Sequence, residues 1–190
     1  ETFNLASGTL ATSNVDYAAI PPSTLTFTIG SVNQPITILV NGDAISELTE
    51  SFGVRIFAST GGAAIGTATA VVDIIDNDVV SVSVSAMTVA ENCGAACPAL
   101  RATLTGKSDR VISVSYSLLA GTAQAPDDYK DVSNSFSWSA MTDGVITLPL
   151  EVIDNTVNEL SESLTLRISG ATNGATISTS DATVTITDND

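Results

Sequence analysis

Val80-Ser81-Val82-Ser83-Val84-Ser85 alternates apolar and polar residues with a period of two, the pattern of a strand with one face in a core and the other in water. The same alternation recurs along the chain. It runs through Leu100, Ala102 and Leu104, then Ile112, Val114, Tyr116 and Leu118, then Phe136 and Trp138. It returns in Ile146, Leu148, Leu150 and Val152, in Leu164, Leu166 and Ile168, and in Ala182, Val184 and Ile186. Seven short strands are therefore expected in residues 79–190, separated by turns of Gly, Asp, Asn and Ser. No segment carries a 3.6-residue apolar stripe. Half-apolar strands bury their faces by pairing into two sheets, so the expectation is an all-β, antiparallel β-sandwich of immunoglobulin-like type. Pro149 cannot donate to a ladder and places the fifth strand at an edge or a bulge.

The chain repeats itself. Residues 36–78 slide onto 148–190 without a gap and share 18 identities in 43 positions. Glu47, Leu48, Glu50 and Ser51 fall on Glu159, Leu160, Glu162 and Ser163, and Asp76-Asn77-Asp78 falls on Asp188-Asn189-Asp190. Upstream, with one gap, Gly8-Thr9 matches Gly121-Thr122 and Asp16-Tyr17 matches Asp128-Tyr129. Such duplication reads as tandem repeats. The expected division is 1–78, a repeat lacking its first two strands, and 79–190, a complete repeat. A truncated first repeat would fold alone or borrow strands from a neighbour.

Composition removes several function classes. Twenty-one acids face six bases, for a net charge of −15, so phosphate-rich nucleic acid and anionic membrane surfaces are excluded as partners. Histidine is absent, which removes Ser-His-Asp and Cys-His catalysis and the commonest transition-metal ligand. No apolar run reaches the roughly 20 residues of a membrane span. No signal peptide heads the sequence, so it reads as a mature chain or an excised piece. Cys93 and Cys97, in a Gly/Ala loop, are too few for a zinc site. A disulfide between them is preferred over free thiols. Together with the scarcity of lysine it points to an extracellular or cell-surface location.

Consecutive antiparallel strands reverse direction, so their loops alternate between the two poles of a sandwich. With the strands of 79–190 lettered A to G, Glu91 lies in A–B and Asp127 and Asp128 in C–D. Asp154, Glu159 and Glu162 lie in E–F, and Asp188 and Asp190 follow G. All fall at one pole. In the first repeat Asp16, Asp43, Glu47, Glu50, Asp76 and Asp78 fall at the corresponding pole, bringing the total to 14 of the 21 acids. Two carboxylates ~5 Å apart repel by roughly 3 kcal/mol at an effective dielectric near 20. Such a crowd wants a cation, and an all-oxygen donor set suits Ca²⁺.

Val89-Ala90-Glu91-Asn92, Gly121-Thr122-Ala123 leading to Asp128-Tyr129, Asp154-Asn155 followed by Glu159 and Glu162, and Thr183-Val184-Thr185-Ile186-Thr187-Asp188-Asn189-Asp190 together resemble the Calx-β family. That family occurs in the regulatory domains of sodium–calcium exchangers, in an integrin β subunit and in long bacterial surface proteins. The resemblance covers essentially the whole chain. It implies calcium ligands at Glu91, Asp128, Asp154, Glu159, Glu162, Asp188 and Asp190, and at the matching Asp16, Asp43, Glu47, Glu50, Asp76 and Asp78. Asn155 and Asn189 stand where exchanger domains usually carry aspartate, and Gly42 replaces the first of the paired acids of the first repeat. Fewer or weaker ions are expected there.

The expected function is a non-enzymatic, calcium-binding structural or adhesive module of a cell-surface protein, in which Ca²⁺ stiffens the junction between tandem sandwiches. Its expected partners are neighbouring repeats, with another protein or a glycan as a further candidate. The alternatives are a non-catalytic accessory or ligand-recognition module of a larger secreted enzyme, and a metal-free spacer.

Overall fold

The computed structural model describes residues 1–190, apart from the side chains of Gly94 and Ala95. Two compact units emerge. One comprises Glu1–Asp43 with Glu47–Asn77, the other Ala44–Ser46 with Asp78–Asp190.

The second unit is a two-sheet sandwich. Its strands are β5 (Ser81–Val84), β6 (Met87–Ala90), β7 (Leu100–Thr105), β8 (Lys107–Ser108) and β9 (Ile112–Ala120). There follow β10 (Ser133–Trp138), β11 (Gly144–Leu148), β12 (Glu162–Ser169), β13 (Thr176–Thr179) and β14 (Asp181–Thr187). One sheet runs β10-β9-β12-β14-β6 and the other β11-β7-β5-β13. A short β2 (Ile45–Ser46) pairs in parallel with β8. The inward positions are those of the period-two pattern. Ile112, Val114, Tyr116 and Leu118 of β9 face Val82, Leu100, Ala102 and Leu104 within one core. Each fully buried Val, Leu or Ile contributes about 1.5–3 kcal/mol. Trp138 is buried too, and its indole N–H donates to the Gly144 carbonyl at 3.1 Å, so the one polar atom of the ring is paired. β11 ends at the residue before Pro149 and lies at a sheet edge.

The sequence pattern misses two features. The first predicted strand is two strands, because the chain crosses between sheets at Ser85-Ala86. β5 lies beside β13 and β6 beside β14, both in parallel. β13 is the other omission. Its residues are mostly exposed Thr and Ser, so no buried face writes an apolar alternation into it.

The first unit is smaller. β1 (Thr2–Phe3), β3 (Glu50–Arg55) and β4 (Thr69–Ile74) form a three-stranded antiparallel sheet in the order β1-β3-β4. Its buried core is Ala11, Tyr17 and Phe52, with the Tyr17 and Phe52 rings stacked at 4.0 Å. The duplication is visible atom by atom. Asp16 Oδ2 accepts from the Thr12 N–H at 2.5 Å, as Asp128 Oδ2 accepts from the Gln124 N–H at 2.6 Å, and Tyr17 and Tyr129 are buried alike behind them.

Candidate metal centre

Three groups of carboxylates gather at loop ends, each with one oxygen per residue within 4.8 Å of the others. In the second unit these are Glu91, Asp188 and Asp190, and Asp128, Glu159 and Glu162. In the first unit the group is Asp16, Glu47 and Glu50, the counterparts of the second of these by the 112-residue repeat.

The local chain explains why they converge. Glu91 opens a 3₁₀ turn (Glu91–Ala96) directly after β6, and Asp188 directly follows β14. β6 and β14 are parallel neighbours, so both strands deliver a carboxylate to the same end of the sheet. Glu162 is the first residue of β12, next to β14. Asp128 is held by the turn in which its carboxylate accepts from Gln124 and its N–H donates to the Gln124 carbonyl at 2.9 Å. Glu91, Asp128, Glu159, Glu162 and Asp188 line one small hollow, open to solvent, together with Leu160 and Ile186.

Asparagines fasten the rim. The Asn155 side-chain amide donates to Glu91 Oε1 at 2.9 Å and reaches Glu159 Oε2 at 3.4 Å, so it spans both groups. Its carbonyl oxygen accepts from the Val157 N–H at 2.7 Å, an Asx turn that orients the amide. Asn158 donates to the Asp190 carbonyl at 2.5 Å, and Asn189 Oδ1 accepts from the Asn92 N–H at 2.9 Å. The sequence reading missed these tethers. Their one signal was the density of Asn in loops that also carry the acids.

The electrostatics are those of negative charge pressed together. Glu91 is only 4% exposed. Burial pushes its carboxyl up, and the facing Asp188 and Glu159 push it further, against the opposing hydrogen bond from Asn155. Glu162 is pushed up to about 7 by burial, then by Asp128, Glu159 and Glu91. Asp188 Oδ1 is buried with no hydrogen-bond partner. A buried acceptor left unpaired costs about 1–3 kcal/mol, more when charged. That orphaned oxygen, in a site whose donors are all oxygen, fits a hard divalent cation.

Not every predicted residue joins a group. Asp154 is exposed and lies outside them, as does Asp127. Asp43 and Asp76 of the first unit, and Asp78 at the start of the second, also lie outside the three-carboxylate groups, and Asp76 Oδ2 accepts from the Glu47 N–H at 3.2 Å. The sulfurs of Cys93 and Cys97 are within bonding distance, with Cα atoms 4.7 Å apart, and both residues pack against the core beside Glu91.

The Calx-beta domain family matches residues 2–78 and again 73–190. The chain belongs to the Calx-beta family. Among solved structures, the apo-form Calx CBD1 domain is 28% identical with a TM-score of 0.54, the match covering 60% of this chain and all of that one. CBD12 from CALX1.2 is 29% identical with a TM-score of 0.54, over 58% of this chain and 44% of the other. The calcium binding domain CBD12 of CALX1.1 is 29% identical with a TM-score of 0.52, over 57% and 44%. This chain thus spans less than half the length of the two CBD12 structures. No curated protein sequence matches it. As a Calx-beta chain it is a non-catalytic module of tandem β-sandwich repeats. Among the described residues no helix is long and apolar enough to cross a membrane.

Proposed function

We propose that this Calx-beta chain is a calcium-binding structural module. Glu91, Asp188 and Asp190 hold Ca²⁺ on one side of the hollow, and Asp128, Glu159 and Glu162 on the other. The observation that carries this reading is the pairing of a buried glutamate with a partnerless buried oxygen of Asp188, inside one hollow lined by five carboxylates. The calcium binding named for a similar CBD12 structure supports it. Bound Ca²⁺ supplies positive charge that offsets the mutual repulsion of the acids and satisfies the orphaned oxygen. Asn155, Asn158 and Asn189 hold the loops in place for it. In the first repeat Asp16, Glu47 and Glu50 offer a further site.

Calorimetric titration of Ca²⁺ into chelator-stripped protein tests the reading. Heat of binding should appear with dissociation constants of about 10⁻⁴ to 10⁻³ M, the range of extracellular modules. Glu159→Gln/Glu162→Gln should remove part of it and leave the fold intact. No heat in the parent chain, or the same heat in the variant, would sink the assignment.

The wider role follows from chain order. Asp76 and Asp78 immediately precede Val79, where the proposed second repeat (79–190) succeeds the first (1–78). Calcium near that junction stiffens the connection between repeats of a surface or adhesion protein, in an oxidising compartment where the Cys93–Cys97 disulfide persists. Small-angle scattering checks it: the maximum dimension should grow on adding Ca²⁺, and equal profiles with and without chelator would count against it.

A further inference from the structure

The turn that carries Glu91 has weak local support. Glu91–Ala96 is a single 3₁₀ segment whose N-cap, Ala90, offers no side-chain hydrogen bond. Hydrogen bonds in such turns are poorly aligned. Asn92 and Ala96 are exposed, and the Asn92 N–H is tethered to Oδ1 of Asn189, itself exposed. Yet Glu91 is only 4% exposed, with a carboxylate oxygen within 4.8 Å of those of Asp188 and Asp190. Like charges so close drive it towards water.

The sulfur pair opposes that push. Cys93 and Cys97 both pack against the core, 4.7 Å apart at Cα, and neither is a free thiol. Cys93 lies two residues after Glu91, and Cys97 lies three before Leu100, which is fully buried at the start of β7. β6 and β7 belong to different sheets. The Cys93–Cys97 bond therefore closes a ring in the crossing between the sheets, at the point where Glu91 must stay inward. Opening the ring frees the turn to unwind, and the repulsion from Asp188 and Asp190 drives the unwinding.

Resting on the calcium reading of the Glu91, Asp188 and Asp190 group, we propose that the Cys93–Cys97 disulfide is the positioning element of that group and sets its Ca²⁺ affinity. With the ring closed, Glu91 is held beside Asp188 before the ion arrives, so binding does not have to order the turn. With the ring open, the ion must first gather Glu91 back, and affinity falls. Linkage makes the effect reciprocal: bound Ca²⁺ protects the disulfide by the same factor by which the disulfide strengthens Ca²⁺ binding. The reductant is a dithiol. One of its thiolates attacks a cystine sulfur to form a mixed disulfide, and its second sulfur then closes on the first. Cys93 and Cys97 are left as thiols and the reductant is oxidised by two electrons.

The test titrates Ca²⁺ calorimetrically into the full chain when oxidised, when reduced, and as Cys93→Ala/Cys97→Ala. The binding component that Asp190→Asn removes should weaken by about tenfold in the reduced and alanine forms, with the remaining binding unchanged. Equilibration with reduced and oxidised dithiothreitol should show the disulfide about tenfold harder to reduce at saturating Ca²⁺. Without calcium, amides of residues 91–96 should exchange faster in the reduced chain, while β14 keeps its protection. Trp138 fluorescence reports that the sandwich stays folded, and the reduced chain, which keeps every side chain, carries the comparison where the alanine form does not fold. Equal Ca²⁺ affinity in the oxidised and reduced chains, a dithiol equilibrium indifferent to Ca²⁺, or unchanged exchange at 91–96 overturns the proposal and leaves the calcium site standing. Absence of Ca²⁺ binding in the oxidised chain overturns both.

Discussion

The side-chain amide of Asn155 donates to Glu91 Oε1 at 2.9 Å across 64 residues of sequence, and the same nitrogen reaches Glu159. One neutral side chain therefore stitches together two carboxylate groups that repel each other. Asn155→Ala should lower the stability of the calcium-free chain by about 0.5–1.5 kcal/mol, the net worth of a hydrogen bond. Asn155→Asp adds a further negative charge and should cost more than alanine without calcium, yet less than alanine at saturating Ca²⁺. Urea unfolding of both variants in both conditions checks this inversion, and an unchanged order would argue against a cation site.

The Glu162 carboxyl gives a pH dependence. Its folded value, about 7, lies above the ordinary 4.5 because of burial and the facing Asp128, Glu159 and Glu91. Between these values the folded chain keeps a proton that the unfolded chain has released, so stability falls as pH rises from about 4.5 to about 7 and is level beyond. Solvent reaches this half-buried group, which keeps the loss to about 1–2 kcal/mol. Chelator-stripped protein should thus resist urea better at pH 5 than at pH 8. Saturating Ca²⁺, which binds the ionised form, should flatten or invert the trend.

Phe52 stacks on Tyr17 in a core that contains only one other buried apolar residue, Ala11. Phe52→Ala should cost about 3–5 kcal/mol and melt the first unit. Trp138, the single tryptophan, lies in the core of the second unit and reports on it separately. Its fluorescence transition should be unchanged while amides of β3 and β4 lose protection. A coincident loss of both would show that the two units unfold as one.

Gly121 sits where a Cβ would meet the Ser163 carbonyl oxygen at 2.4 Å. Ala123 N–H donates to that same oxygen at 3.0 Å, and Ser163 N–H donates to Thr122 Oγ1 at 2.8 Å. Gly121→Ala must push this clamp apart and should destabilise by about 1–3 kcal/mol. Because Ser163 follows Glu162, the variant should also weaken Ca²⁺ binding. A thermal melt and a calcium titration of the same sample read both effects.

Much of this was legible in the sequence because burial writes period-two alternation into strands, and strand alternation assigns loops to poles. Val80 to Val84, Ile112 to Leu118 and Leu164 to Ile168 are buried on the predicted face, and acids far apart in sequence, Glu91, Asp128, Glu159, Glu162 and Asp188, meet in one hollow. The crossing at Ser85-Ala86 was not legible, since β6 continues with Met87 and Val89 in a pattern that one longer strand would share. β13 was invisible because its ladder is backbone, not side chain. Asp154 shows the limit of pole assignment, which brings a residue to the right end without fixing which way its side chain turns. Asn155 shows the complementary gap: a donor among acids reads as a lost ligand until its two acceptors are seen.

The second repeat opens with β5 and β6, and each lies parallel to a late strand, β5 beside β13 and β6 beside the last strand, β14. Pulling the chain from opposite ends drags these strands in opposite directions along their length, so the hydrogen bonds from Met87–Ala90 to Val184–Thr187 bear the tension together in shear. They are not peeled one at a time, as in a hairpin whose two ends lie side by side. Such a repeat resists stretching along the line between its own termini.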